Sequence, residues 1–364
     1  MRAFSKWETV QHRLTDATRT AGSRPAEGAS RRQVLALGLG AAVAVALTGK
    51  AKAAESGLRL YPDALFGIAV DGGVAVATGY HGAVAVADGD PSKWLSVSSG
   101  SDDLLRRVVR RPGAGFVAVS HRGRILESNL QGRDWRAIHE ESGLYLRAVD
   151  FASESTGWAV GHEGAILMTR DGGKSWLRSE ISDYAGRDKP RLSGIAAIDE
   201  KRAVAVGEFG VVAATEDGGQ VWKVVTEQAH PSLLDVAIAG DRGYAVGLNG
   251  TLLALAADAS GRWTVEPQAT GTTQHMLCVA ISASGREALI GGNGLLLTLG
   301  KSGFQAAAIA PQVQLNYTWL GGAALAEDGR AIAVGQGGLI LVADNAAGTF
   351  SPAPISLATR EVTQ

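Results

Sequence analysis

One short signature recurs seven times along this chain and leaves few folds open to it. After residue 64, an apolar pair followed by Gly-x-x-Gly, or a close variant, returns every 40 to 46 residues. It reads Gly79-Tyr80-His81-Gly82, Ser120-His121-Arg122-Gly123, Gly161-His162-Glu163-Gly164 and Gly207-Glu208-Phe209-Gly210. It continues as Gly247-Leu248-Asn249-Gly250, Gly291-Gly292-Asn293-Gly294 and Gly335-Gln336-Gly337-Gly338. A Trp follows the last Gly by 12 residues in the first four copies (Trp94, Trp135, Trp176, Trp222) and by 13 in the fifth (Trp263). Phe304 and Phe350 take that place in the last two. A period near 40 made of short β-rich segments is the mark of a propeller blade. The expected fold is all-β, a seven-bladed β-propeller of four-stranded antiparallel blades.

The third copy shows one blade most clearly. Tyr145–Phe151 alternates apolar and polar positions as a first strand, with Gly157–Val160, Ala165–Thr169 and Trp176–Arg178 as the next three. Such a sheet cannot bury both faces alone, so its neighbours must cover them. Blades are expected over roughly 64–99, 104–139, 145–180, 191–227, 232–268, 276–310 and 317–355, within a propeller domain of 54–364. No split blade that would share strands between the termini is visible, so the means of ring closure stays open.

The totals agree with one large radial domain. Forty-eight glycines and only 6% aromatics suit many tight turns between short strands packed by Val, Ala, Ile and Leu. A net charge of −1 argues against a nucleic-acid partner. The one cysteine, Cys278, excludes an internal disulfide, and its neighbours Met276, Leu277 and Val279 suit a small buried apolar group.

Residues 1–53 read as an export segment. Ser30-Arg31-Arg32-Gln33-Val34-Leu35 has the twin-arginine pattern, an Ala/Gly-rich run extends to Leu47, and Ala51-Lys52-Ala53 offers a small-x-small cleavage site. Fourteen apolar residues are too few to span a bilayer comfortably. Residues 54–364 carry 26 Lys/Arg against 33 Asp/Glu, so the exported part would be acidic, with a net charge of −7. The expected location is the periplasm, or the thylakoid lumen in an organism that has one.

A second motif lies between the third and fourth strands. Thr169-x-Asp171-x-Gly173-x-Ser175-Trp176 is an Asp-box, and Thr215-x-Asp217-x-Gly219-x-Val221-Trp222 repeats it. The Asp carboxylate can accept backbone N–H groups inside the turn, the glycines permit positive φ, and the Trp packs between blades. Ser128…Gly132…Trp135 and Asp258…Trp263 are decayed copies. These residues are spent on the turn, so their expected role is structural.

Gly157-Trp158-Ala159-Val160-Gly161, Gly164-Ala165-Ile166-Leu167 and Asp171-Gly172-Gly173-Lys174-Ser175-Trp176 resemble the photosystem II assembly and stability factor family. The resemblance runs from Leu65 to Pro354 and is strongest in the third and fourth copies. It implies a seven-bladed propeller exported to the thylakoid lumen or periplasm. It also implies a non-catalytic chaperone that holds a nascent membrane subunit through an arginine-rich patch. The implied partner is a protein client, a subunit of a membrane complex. The chain itself would be monomeric and at most peripheral to the membrane, with no cofactor.

The Gly-x-x-Gly turns and inter-blade connections share one face of a propeller, and the Asp-boxes lie on the other. Tyr80, His81, His121, Arg122, His162, Glu163, Glu208 and Phe209 in the first four turns form the candidate partner patch, the later turns being small or amide-like. The second copy adds Arg106, Arg107, Arg110, Arg111, Arg122, Arg124, Arg133 and Arg136, a cluster able to grip carboxylates or meet anionic headgroups. Local pairing with Glu127, Asp134, Glu140 and Glu141 is the alternative. If the cluster is one surface, charge reversal at Arg106 and Arg107 should weaken partner binding at little cost in thermal stability.

Enzyme readings are poorer. Asp-boxes also decorate sialidases, and Glu163 with Glu208 could supply a glycosidase carboxylate pair. A sialidase, however, needs an arginine triad and a Tyr nucleophile, whereas no Arg-Ile-Pro start motif is present and only six Tyr occur. Equivalent points on adjacent blades lie about 10 Å apart, far beyond zinc bonds of about 2 Å. His81, His121 and His162 therefore make no evident metal site. No Gly-rich loop here opens a helix to cradle phosphate.

Overall fold

A computed structural model describes residues 64–226 and 229–357. The export segment expected over residues 1–53 lies outside the described residues. Seven antiparallel sheets form in sequence order, each with its first strand innermost. The inner strands are Leu65–Asp71, Leu105–Arg111, Leu146–Phe151, Leu192–Ala197, Leu233–Ala239, Met276–Ile281 and Leu320–Leu325. Each contacts the next, and the seventh returns to the first, so the ring around the channel is complete. The chain is a seven-bladed β-propeller of four-stranded antiparallel blades.

Seven apolar clusters hold the blades together, one in each seam. The aromatic of each repeat packs back onto the preceding blade. Trp222 of the fourth blade, for example, is fully buried against Ala148, Val160 and Ile166 of the third, and Phe350 of the seventh lies against Leu289 and Leu296 of the sixth. This explains the spacing of the aromatic from the glycine turn: it must start the outermost strand and reach sideways. Truncating such a side chain to Ala costs about 3–5 kcal/mol.

Ring closure uses no split blade. Ile355–Leu357 runs parallel to Trp94–Ser96 of the first blade as a fifth, outermost strand. The same device joins the sixth blade to the seventh, where Ala308–Ile309 pairs in parallel with Thr349–Phe350. It joins the third to the fourth as the bridge between Ile181 and Trp222, with Ser182 N–H donating to the Trp222 carbonyl at 2.9 Å. In all three cases an isoleucine five residues after one repeat's aromatic (Trp176, Phe304, Phe350) pairs with the aromatic of the next.

The Asp-box carboxylates are engaged within their own turns. Asp171 Oδ1 accepts Ser175 N–H (2.9 Å) and the Thr169 hydroxyl (2.9 Å), while Thr169 Oγ1 accepts Gly173 N–H (2.8 Å). Gly172 and Gly173 take φ of 74° and 91°, and Trp176 Nε1 closes onto the Gly173 carbonyl at 3.1 Å. Hydrogen bonds from Ser175 pull the Asp171 carboxyl down to about 2. Asp217 repeats the pattern with Thr215 and Val221 N–H. In the second blade Asn129 takes the carboxylate's role one residue early, accepting Gln131 and Arg133 N–H.

Candidate functional site

Each Gly-x-x-Gly turn is anchored beside the start of its own blade's inner strand. In the third blade His162 N–H donates to the Tyr145 carbonyl at 2.9 Å, and a Cβ on Gly161 would collide with that oxygen. The first glycine is thus required by close approach although its backbone is extended. The residue before the last glycine is left-handed in five turns, with φ of 52° at His81, 55° at Glu163, 60° at Phe209, 56° at Asn249 and 66° at Gly337. That conformation turns the preceding side chains Tyr80, His162 and Glu208 towards the channel rim. In the sixth blade the turn is one residue shorter than the repeat predicts, running Gly292-Asn293-Gly294, with Asn293 N–H on the His275 carbonyl.

Every inner strand is bulged just after its first residue, which leaves one extra residue unpaired. Those residues are Phe66, Arg106, Arg147, Ser193, Leu234, Leu277 and Gly321, one per blade at the mouth of the channel. The mouth is therefore aromatic and cationic over the first three blades, then small or aliphatic. Phe66 stacks on Trp319 (4.9 Å between centroids) and meets Tyr80 edge-on (5.0 Å). Arg106 lies over the Phe66 ring at 5.3 Å. Tyr145 touches both His121 (5.0 Å) and His162 (5.4 Å), and the two imidazoles are 5.8 Å apart.

Charge at the mouth is not balanced. Among the described residues Arg106 and Arg147 have no carboxylate within salt-bridge distance, and Arg147 Nε is buried without a hydrogen-bond partner. Burial, then the neighbouring Arg106 and Arg191, push the Arg147 guanidinium down to about 9. Burial lowers Arg106 as well. Arg191 is occupied, 2.7 Å from Glu208, whose other oxygen accepts Arg191 N–H at 3.0 Å. Two partly buried guanidinium groups at one rim, both short of an anion, have the chemistry to receive a carboxylate.

The arginines of the second repeat do not form one surface. Arg106, Arg122 and Arg124 lie on the Gly-x-x-Gly side, Arg122 near Asp103 (3.6 Å) and Arg124 on Glu140 (3.1 Å). Arg110 and Arg111 end the inner strand towards the Asp-box side, Arg110 on Asp71 (2.9 Å) and Arg111 on Glu127 (2.8 Å). Arg111 also donates to the Gly172 carbonyl of the third blade's Asp-box, and Arg136 joins Glu127. Arg107 is inside the channel, bonded to Asp235 of the fifth blade. Reversing its charge would set a carboxylate against the buried Asp235, so a double reversal at Arg106 and Arg107 would not spare thermal stability.

Of the other residues singled out in the sequence, Tyr80, His121, His162 and Glu208 meet at the rim. His81, Glu163 and Phe209 occupy the left-handed turn positions outside it, with Phe209 56% exposed. Glu208 is held by Arg191 rather than facing Glu163 across a cleft. Phe66, Tyr145, Arg147, Arg191 and Trp319 were missed because the glycine signature draws the eye to the turns. The signal for two of them was present: the residue one beyond the buried Leu, or Met276 in the sixth blade, that opens each inner strand, compared down the seven repeats.

The family model described as photosynthesis system II assembly factor YCF48 matches residues 86–238, from the third strand of the first blade to the inner strand of the fifth. Among curated proteins, no sequence matches this chain. Among solved structures, a YCF48 bound to D1 peptide is similar at TM-score 0.59 and 18% identity, over 78% of this chain and 92% of that one. YCF48 from Cyanidioschyzon merolae is similar at TM-score 0.60 and 16% identity, over 78% and 96%. A GH74 enzyme of Niastella koreensis is similar at 0.60 and 12% identity, over 80% of this chain and 54% of the enzyme. At these identities the structural likeness is one of fold. Over residues 86–238, and not over the whole chain, the closed seven-bladed propeller is similar to the photosystem II assembly factor family.

Proposed function

We propose that the chain is an exported, non-catalytic scaffold that docks an acidic or extended segment of a membrane-complex subunit during assembly. The observation that carries this reading is the pair Arg106 and Arg147, held at the channel mouth without a carboxylate of the protein's own. A client carboxylate would supply the missing anion, and the rings of Phe66, Tyr80 and Tyr145 would flank the residues beside it. The match to a family with a member solved bound to D1 peptide supports a protein client. The twin-arginine segment supports export to the periplasm or thylakoid lumen, with the propeller acting as a monomer at the membrane surface. No bond chemistry and no cofactor enter this reading.

The test is crosslinking of the full chain in its own membranes, wild type beside Arg106→Glu/Arg147→Glu. One membrane protein captured by wild type and lost with the variant is the expected result. Capture that survives the variant removes the mouth from the mechanism. Capture of nothing specific by wild type removes the scaffold reading itself.

A further inference from the structure

Three rings and several charged side chains crowd the mouth between the second and third blades. His121, Tyr145 and His162 are in mutual contact, and His121 Nδ1 and His162 Nε2 are buried without hydrogen-bond partners. His121 is faced by Arg106 and Arg147 from the inner strands, by Arg122 from its own turn, and by Asp103 from the connection below it. His162 is faced by Arg147 from its own blade's inner strand, by Arg191 just before the fourth inner strand, by Glu208 from the fourth blade's turn, and by His121. Both carboxylates are already engaged: Asp103 accepts the Ser120 hydroxyl at 2.7 Å, and Glu208 holds Arg191. Burial, and then these arginines, hold both imidazoles below their ordinary range, so both are neutral at pH 7 in the free protein.

We propose that docking at this mouth is proton-coupled: an acidic client segment seated between Arg106 and Arg147 is bound together with a proton on the His121–His162 pair. This rests on the docking reading above. An arriving carboxylate neutralises the cations that suppress protonation and gives the unpartnered ring nitrogens an acceptor, so protonation is easier in the complex than in the free protein. Between the two midpoints the complex holds more protons than the separated partners. By linkage, affinity then rises as pH falls through that window and is flat above it. Below about pH 4.5 the client's own carboxylates take up protons and the gain reverses. A compartment that acidifies would tighten the scaffold's hold, and neutrality would relax it.

The test uses the full chain and a fluorescent hexaglutamate peptide with a free C-terminus. Calorimetry at pH 6.5 in two buffers of different ionisation enthalpy counts the protons taken up, and titrations at pH 7.5 and 5.5 give the affinity ratio. The expected result is net uptake of about half a proton and binding about three- to tenfold tighter at pH 5.5. In His121→Gln/His162→Gln that uptake is lost and the affinity ratio falls towards one, which separates this pair from Asp150 of the third inner strand, whose carboxyl burial pushes up to about 6. Wild-type binding without proton uptake overturns the proton coupling and leaves docking intact. Wild-type failure to bind the peptide at either pH overturns the docking reading and this one with it. Arg106→Gln/Arg147→Gln, weakening binding at both pH values, is the signature of docking alone.

Discussion

Arg107 Nη1 lies 2.9 Å from Asp235 Oδ2, joining the inner strands of the second and fifth blades through the channel. Asp235 is otherwise satisfied by Val236 and Val279 N–H at 3.0 Å each, so the fifth and sixth blades are tied to the same carboxylate. Breaking a buried pair by removing one partner leaves an uncompensated charge. Arg107→Leu is expected to lower stability by about 3 kcal/mol, read as a shift of the denaturant midpoint. Arg106→Leu removes a cation with no carboxylate partner and is expected to cost less than about 1 kcal/mol. Equal midpoints for the two variants would deny the cross-channel bond any structural weight.

A second carboxyl in the channel gives a pH dependence of known sign. Asp150 accepts N–H from Phe151 and Ala197, yet burial pushes it up to about 6, with Asp235 adding to the rise. Because the folded value exceeds the unfolded one, its contribution is fully present below about pH 4. It is lost as pH rises through 6. Discounted for screening, the effect is roughly 1–2 kcal/mol. Asp150→Asn should flatten the wild-type stability profile between pH 4 and 6, followed by urea denaturation at each pH. An unchanged slope would assign that titration to another group.

Glycine is needed in this fold for two separable reasons, and a pair of alanine variants distinguishes them. Gly161 is extended, but a Cβ there meets the Tyr145 carbonyl and displaces the bond from His162 N–H. Gly143 has φ of 83° with nothing near its Cβ position. Gly161→Ala is expected to cost about 2–3 kcal/mol through overpacking, and Gly143→Ala about 1 kcal/mol through the left-handed backbone alone. Thermal melting of the two variants would rank them. Gly143 proving the costlier would refute the steric account of the turn.

The parallel fifth strand of the first blade is testable at Ile355, 8% exposed in the seam between the seventh and first blades. Ile355→Ala is expected to cost about 2–3 kcal/mol. Leu177→Ala on the outer strand of the third blade, 64% exposed, should stay within about 0.5 kcal/mol. Differential scanning calorimetry of both would decide, and similar melting temperatures would mean that the seam holds without its last strand.

Much of the fold was legible because each blade repeats one set of constraints. In the third blade the buried apolar positions Leu146, Ala148, Val149 and Phe151 give the inner strand, and Trp176 marks the start of the outer one. Closure was not legible, since Ile181, Ile309 and Ile355 are single residues in otherwise dissimilar connections and pair only across blades. At the site, the turn residues Tyr80, His121, His162 and Glu208 could be read from the glycine signature. Arg147 could not, because one arginine among alternating apolar residues looks like a solvated strand position. The bulge that swings it onto the rim depends on pairing with the neighbouring strand. Arginine density in the second repeat misled for a related reason: neighbours in sequence at the two ends of one strand belong to opposite faces.

The pairing of Ile355–Leu357 with Trp94–Ser96 sets an order on the making of this molecule. The first blade is synthesised hundreds of residues before the strand that covers its outer edge, and until then its backbone groups stand open to any passing strand. A growing chain can stack blades one after another, yet it cannot seal them before residues 355–357 are made. That short segment acts as the clasp, and its seating on the first blade is the mark of a finished ring.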